Sequence, residues 1–214
     1  MESDRITIGT LLICLAAIVA VETSSHVVIP ACTCNPLLVV GAARIVETAL
    51  ILLTVTKWGT GLSSIGLMAS TMVQGYKKGL IWSGLFGMAS AFAFIAFLLF
   101  EIDPFALIKA DLPKITSQRI LFFAVGGLIG PIAEEVFFRG IIYGFLRRWG
   151  TLIALVISTL LFVLFHPITY RFPLPQVIGG TLFAVSYEVE GSLIVPMTIH
   201  VLGNLAIFTL SIIC

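Results

Sequence analysis

Apolar stretches of bilayer-crossing length recur along this chain, and no other property narrows its fold so far. A helix needs about 20 mostly apolar residues to cross a hydrocarbon core, where every backbone N–H and C=O must be satisfied within the protein. About seven such segments are read, near Ile6–Val21, Leu37–Thr56, Gly79–Phe100, Ile120–Leu146, Thr151–Pro167, Pro175–Tyr187 and Leu193–Ile213. The expected fold class is all-α: a polytopic transmembrane helix bundle of about seven spans, with six to eight as bounds. For the first segment, after Glu2, Asp4 and Arg5, a cleaved signal peptide competes with the retained helix that we adopt.

Composition agrees. Of 214 residues, 59% are hydrophobic and 11% charged, against roughly half and a quarter in soluble domains. A net charge of +1, with no long basic run, argues against a nucleic-acid partner and leaves the lipid bilayer as the expected surroundings. The expected location is a prokaryotic cell membrane. No repeat divides the chain, so residues 1–214 are read as one integral-membrane domain with a motif-bearing core at about 119–213.

Cys14 and Cys214 lie in apolar stretches, while Cys32 and Cys34 are separated by one residue; neither a zinc ribbon nor a disulfide framework is spelled out. The close pair is read as ordinary loop cysteines, because a bridge across one residue is strained. The stretch from Lys57 to Lys78, rich in Gly and Ser, reads as an interfacial segment. With the amino terminus inside, Arg5, Lys57, Lys77, Lys78, Arg147 and Arg148 fall inside and Lys109, Lys114, Arg119 and Arg171 outside, a weak bias toward a cytoplasmic start.

Ionisable groups inside the apolar segments carry the functional information, since placing a charge mid-membrane costs several kcal/mol. Arg44 and Glu47 are three apart on one helical face and read as a structural ion pair. In Pro131-Ile-Ala-Glu134-Glu135-Val-Phe-Phe-Arg139, Glu135 and Arg139 share a face at a spacing of four, whereas Glu134 projects about 100° away and is left free for chemistry. The next span places Phe162 one turn before His166, and the last places His200 one turn before Asn204. The whole chain has three histidines, and two of them sit in apolar spans.

A carboxylate and an imidazole together activate water, and attack on an amide creates an oxyanion that needs donors such as an imidazole N–H and a carboxamide. Glu134 and His166 match the first requirement, and His200 and Asn204 the second. A satisfied core histidine at His166 and interhelical glue at His200 and Asn204 stand as the bland alternatives.

Glu134-Glu135-x-x-x-Arg139, Phe162-x-x-x-His166 and His200-x-x-x-Asn204 resemble the three motifs of the CPBP family of CaaX prenyl endopeptidases and bacteriocin-processing proteins. The resemblance covers about Pro131 to Asn204. It implies a glutamate-dependent intramembrane endopeptidase with Glu134 and His166 activating water, and His200 and Asn204 forming the oxyanion site. Glu135 and Arg139 would position or tune that machinery, with Phe162 supporting. The implied partner is a membrane-associated protein or peptide, in maturation or sorting of membrane-anchored proteins.

Rival readings divide by inventory. The aspartates Asp4, Asp103 and Asp111 lie outside the spans, His-Glu-x-x-His is absent, and Trp82-Ser83-Gly84 lacks the context of a serine intramembrane protease. No cofactor is expected, yet Glu134, Glu135, His166 and His200 are acceptable ligands for a divalent metal, and that option stays open. A proton- or ion-coupled transporter would show a repeat with paired broken helices. A catalytically idle immunity or scaffold protein of the same fold would not need intact motifs.

Overall fold

The computed structural model describes residues 6–166 and 173–213; Glu2, Asp4, Arg5, Pro167, Arg171 and Cys214 lie outside the described residues. Seven main helices follow one another, and no strand occurs among the described residues. They are α1 (Ile8–Ala31), α2 (Pro36–Trp58), α3 (Met72–Leu99), α4 (Thr116–Trp149), α5 (Thr151–Leu164), α6 (Leu174–Glu190) and α7 (Ile194–Ile213). Local chemistry sets several ends. Thr7 caps α1 by accepting from Thr10 N, and Asn35 caps α2 by accepting from Leu37 N with Pro36 just inside. Gly191, at φ +63°, closes α6 in the left-handed region.

α1, α2, α4, α7 and α3 with the turn before it are long and apolar enough to cross a membrane. α5 has 14 residues and spans about 21 Å, and α6 has 17 and spans about 25 Å, both short of the ~30 Å hydrocarbon core.

α3 begins at Met72 and not at Gly79, so the Gly-rich stretch before it is partly helical. Its glycines are contact points: a Cβ on Gly79 would stand 2.6 Å from Thr198 Cβ of α7, and one on Gly75 would stand 2.6 Å from Ser192 Oγ. Close approach through small residues is how helices pack in lipid, where apolar burial drives little.

α4 is the central post. All eight residues from Val136 to Tyr143 are buried, against Ile51 and Val55 of α2, Phe162 of α5, Phe183 and Tyr187 of α6, and Val195 and Ile199 of α7. One end of the bundle is tied by charge: Arg147 to Glu188, Lys78 to Glu190 at 2.5 Å, and Arg148 to the carbonyl of Ile6. The opposite end holds the α1–α2 turn and a short helical turn at Phe105–Ile108, with Ala110 N donating to Ser211 Oγ.

At the α1–α2 turn, Cys32 and Cys34 are joined as a disulfide, which corrects their reading as separate loop cysteines. The extended backbone at Cys32 puts the two Cα atoms 5.3 Å apart, inside the bridging range. Arg44 also has more company than its sequence neighbour: it meets Glu47 at 2.5 Å and Glu22 of α1 at 2.5 Å.

Candidate active site

Two stretches of α4, Val125–Ile129 and Val136–Tyr143, are wound in wide π-type turns, with ordinary α-helix over Gly130–Glu135 between them. Such turns accompany functional sites. Glu134 and Glu135 close the ordinary segment, and Arg139 lies in the second wide one.

Glu135 and Arg139 are both fully buried, with Arg139 Nε 3.2 Å from Glu135 Oε2. Arg139 Nη2 donates to the carbonyl of Gly180 at 3.0 Å, and its guanidinium faces the rings of Phe162, Phe183 and Phe138 at 4.7, 5.4 and 5.9 Å. Aromatic faces stabilise a cation where water cannot. The other oxygen of Glu135, Oε1, accepts from His200 Nδ1 at 2.9 Å. His200 is thus fixed from behind by Glu135 and from the side by Phe183, whose ring stacks on it at 4.4 Å and 21°.

His166 donates Nδ1–H to the carbonyl of Phe162 at 2.7 Å, and its ring lies 4.4 Å from that of Phe162. A carbonyl only accepts, so this bond leaves Nε2 as the unprotonated nitrogen of neutral His166. That nitrogen lies 3.6 Å from Glu134 Oε2, and His200 Nε2 lies 3.8 Å from the same oxygen. Glu134 Oε2 is buried with no hydrogen-bond partner.

Asn204 Nδ2 donates to the carbonyl of Gly126 at 2.9 Å. The cause lies in α4. In the wide turn Gly130 N bonds Val125 O, so the donor due to Gly126 O would be residue 131, and that residue is proline. Pro131 strands a carbonyl that Asn204 satisfies, while the second N–H of its carboxamide stays available.

The structure therefore gathers Glu134, Glu135, Arg139, Phe162, His166 and His200 around one point, with Asn204 one turn below His200. Of the four residues named for a divalent metal, Glu134, His166 and His200 converge, while Glu135 stands at the Nδ1 side of His200. Among the described residues no group of three or more His, Cys, Asp or Glu is arranged to hold a metal ion. Ser83 does not approach this centre; its hydroxyl donates to Gly79 O at 2.7 Å.

Sequence reasoning missed Gly180, Phe183 and Gly126. Neither of the α6 residues is polar, and the only signal was Gly179-Gly180, where a small residue lets α6 close on α5: a Cβ at Gly180 would meet Thr159 Cγ2 at 3.1 Å and Phe162 Cδ1 at 3.2 Å.

A family model described as type II CAAX prenyl endopeptidase Rce1-like matches residues 116–206, a stretch that contains all of these residues. Over that stretch, less than half of the chain, the sequence is similar to this family. The chain is also similar to a curated protein, the membrane-embedded CAAX protease MroQ of Staphylococcus aureus (strain USA300), 35% identical over 99 residues. The match covers 42% of this chain and 39% of that relative, well under two thirds of its length. No solved structure matches. The helices long and apolar enough to cross a membrane, together with the likeness to the membrane-embedded MroQ, make this an integral membrane protein.

Proposed function

We propose that the chain is a glutamate-dependent intramembrane endopeptidase that hydrolyses a peptide bond of a membrane-associated protein, in the maturation or sorting of membrane-anchored proteins. The observation that carries this reading is the buried, unpartnered Glu134 Oε2 facing two histidine Nε2 atoms at 3.6 and 3.8 Å. Those gaps are too wide for direct hydrogen bonds and suit a bridging water.

Donor counting then assigns the proton. With both Nδ1–H groups committed elsewhere, Glu134 Oε2, His166 Nε2 and His200 Nε2 are three acceptors around one water, which has two hydrogens. A proton on one of the three completes the set of bonds. Placed on His200, between the carboxylates of Glu134 and Glu135, it turns Nε2 into a donor. The water gives its hydrogens to Glu134 and His166, its oxygen attacks the carbonyl carbon, and Glu134 takes the released proton.

The oxyanion receives His200 Nε2–H and the second N–H of Asn204. Collapse breaks the C–N bond as Glu134 returns its proton to the leaving nitrogen. Glu135 and Arg139 hold His200 in register throughout and touch no reacting atom.

The deciding experiment compares the termini of membrane proteins, by mass spectrometry, in cells carrying the wild type or Glu134→Gln. Specific proteins should lose a defined cleavage in the variant. Identical termini in both would remove the support for hydrolysis.

A further inference from the structure

Glu22, Arg44 and Glu47 form an ion cluster between α1 and α2 that the peptidase reading leaves unused. Arg44 Nη2 lies 2.5 Å from Glu22 Oε1, and Arg44 Nη1 lies 2.5 Å from Glu47 Oε2. The two carboxyl groups are thus held by adjacent nitrogens of one guanidinium. Glu47 is 3% exposed, and its other oxygen, Oε1, is buried without a hydrogen-bond partner. Counted along their helices, the three residues lie on the order of 12–16 Å from the α1–α2 turn, at hydrocarbon depth.

Charge does not balance there. One guanidinium faces two carboxylates, and a net charge of −1 in hydrocarbon costs several kcal/mol. Among the described residues no second cation forms an ion pair with Glu22 or Glu47. On α1, His26 lies one turn beyond Glu22, and Cys14 packs at Thr54 of α2. The turn Leu62–Ile65, against α2, has no charged residue. The titratable groups of α4 are Arg119, Glu134, Glu135, Arg139, Tyr143, Arg147 and Arg148; among the described residues none of them forms an ion pair with the cluster.

We propose that Glu22 and Glu47 share one bound proton across Arg44, which makes the α1–α2 hairpin a protonation site separate from Glu134 and its histidines. The proton sits on one carboxyl oxygen and is donated to the other carboxylate as an O–H···O bond. That bond gives Glu47 Oε1 its partner and brings the cluster to neutrality. The unfolded chain, with both carboxyls in water, releases the proton at neutral pH, so stability falls as pH rises. The hairpin loosens as the proton leaves.

The test is infrared spectroscopy on the purified full chain in detergent micelles, comparing wild type, Glu22→Gln and Glu47→Gln. Each variant should lack one protonated-carboxyl C=O band that the wild type shows at neutral pH. Each should melt close to the wild type there, because Gln leaves a neutral Arg–Glu pair, and should flatten the fall in melting temperature with rising pH. Loss of carboxylate absorption alone in both variants, with the pH slope intact, would overturn the proposal. If one Gln variant fails to accumulate, the other decides. A carboxyl band that persists unchanged on alkaline titration in a Glu134→Gln background would also count against the shared proton.

Discussion

Replacing Arg139 by Met tests the buried pair at the heart of the site. Arg139 and Glu135 are fully buried and 3.2 Å apart, and Arg139 also supplies the donor to Gly180 O. Methionine keeps much of the volume against Phe162 and Phe183 but strands the Glu135 charge, and removing one partner of a buried pair costs about 3–5 kcal/mol. At roughly 2–4 °C per kcal/mol for a chain of this size, the melting temperature in detergent should fall by about 6–20 °C. The double variant Glu135→Gln with Arg139→Met carries no net charge and should recover most of that loss, whereas activity should stay low in the double variant because His200 loses its carboxylate support. The assay is thermal unfolding followed by tryptophan fluorescence. An Arg139→Met protein that melts within about 1 °C of wild type would refute the argument that this pair is held by mutual neutralisation.

Asn204→Ala should lower turnover by roughly 10²- to 10³-fold if the carboxamide serves the oxyanion. Its stability cost, from freeing Gly126 O, should be only about 1–3 kcal/mol, and a variant that loses stability at full turnover per folded molecule would reassign Asn204 to helix packing. Gly79→Val should destabilise the protein by about 1–3 kcal/mol or more, because its Cβ would stand 2.6 Å from Thr198 Cβ; unchanged melting would mean that α3 is not seated on α7 there.

Most of the helices were legible because hydrocarbon imposes length and polarity together, and both are written in the residues. The start of α3 was not. Gly75 and Gly79 read as helix breakers in isolation, while in the bundle their missing side chains admit α7, a tertiary gain that outweighs propensity. Glu134, Glu135, Arg139, His166, His200 and Asn204 stood out because charge and amide are rare at such depth. Phe183 and the carbonyl of Gly180 did not, since stacking and backbone acceptance leave no polar mark in sequence. The partnership of Glu22 with Arg44 was hidden for another reason: it joins two helices, and only the spacing of three between Arg44 and Glu47 is visible along one chain segment.

The wide turns of α4 have a mechanical reading. Each loop of such a turn reaches five residues along the chain where an ordinary turn reaches four, so Val136–Tyr143 acts as a spacer that sets the angular phase between two working parts of one rod. On one side of it Glu134 and Glu135 look toward the histidines; on the other, Arg147 looks toward Glu188. Removing a single residue from that spacer would change the winding of these turns and with it the angular phase between the two parts. The carboxylates and the latch at Glu188 could then not both be engaged, so the length of this segment, and not only its composition, belongs to the working design of the protein.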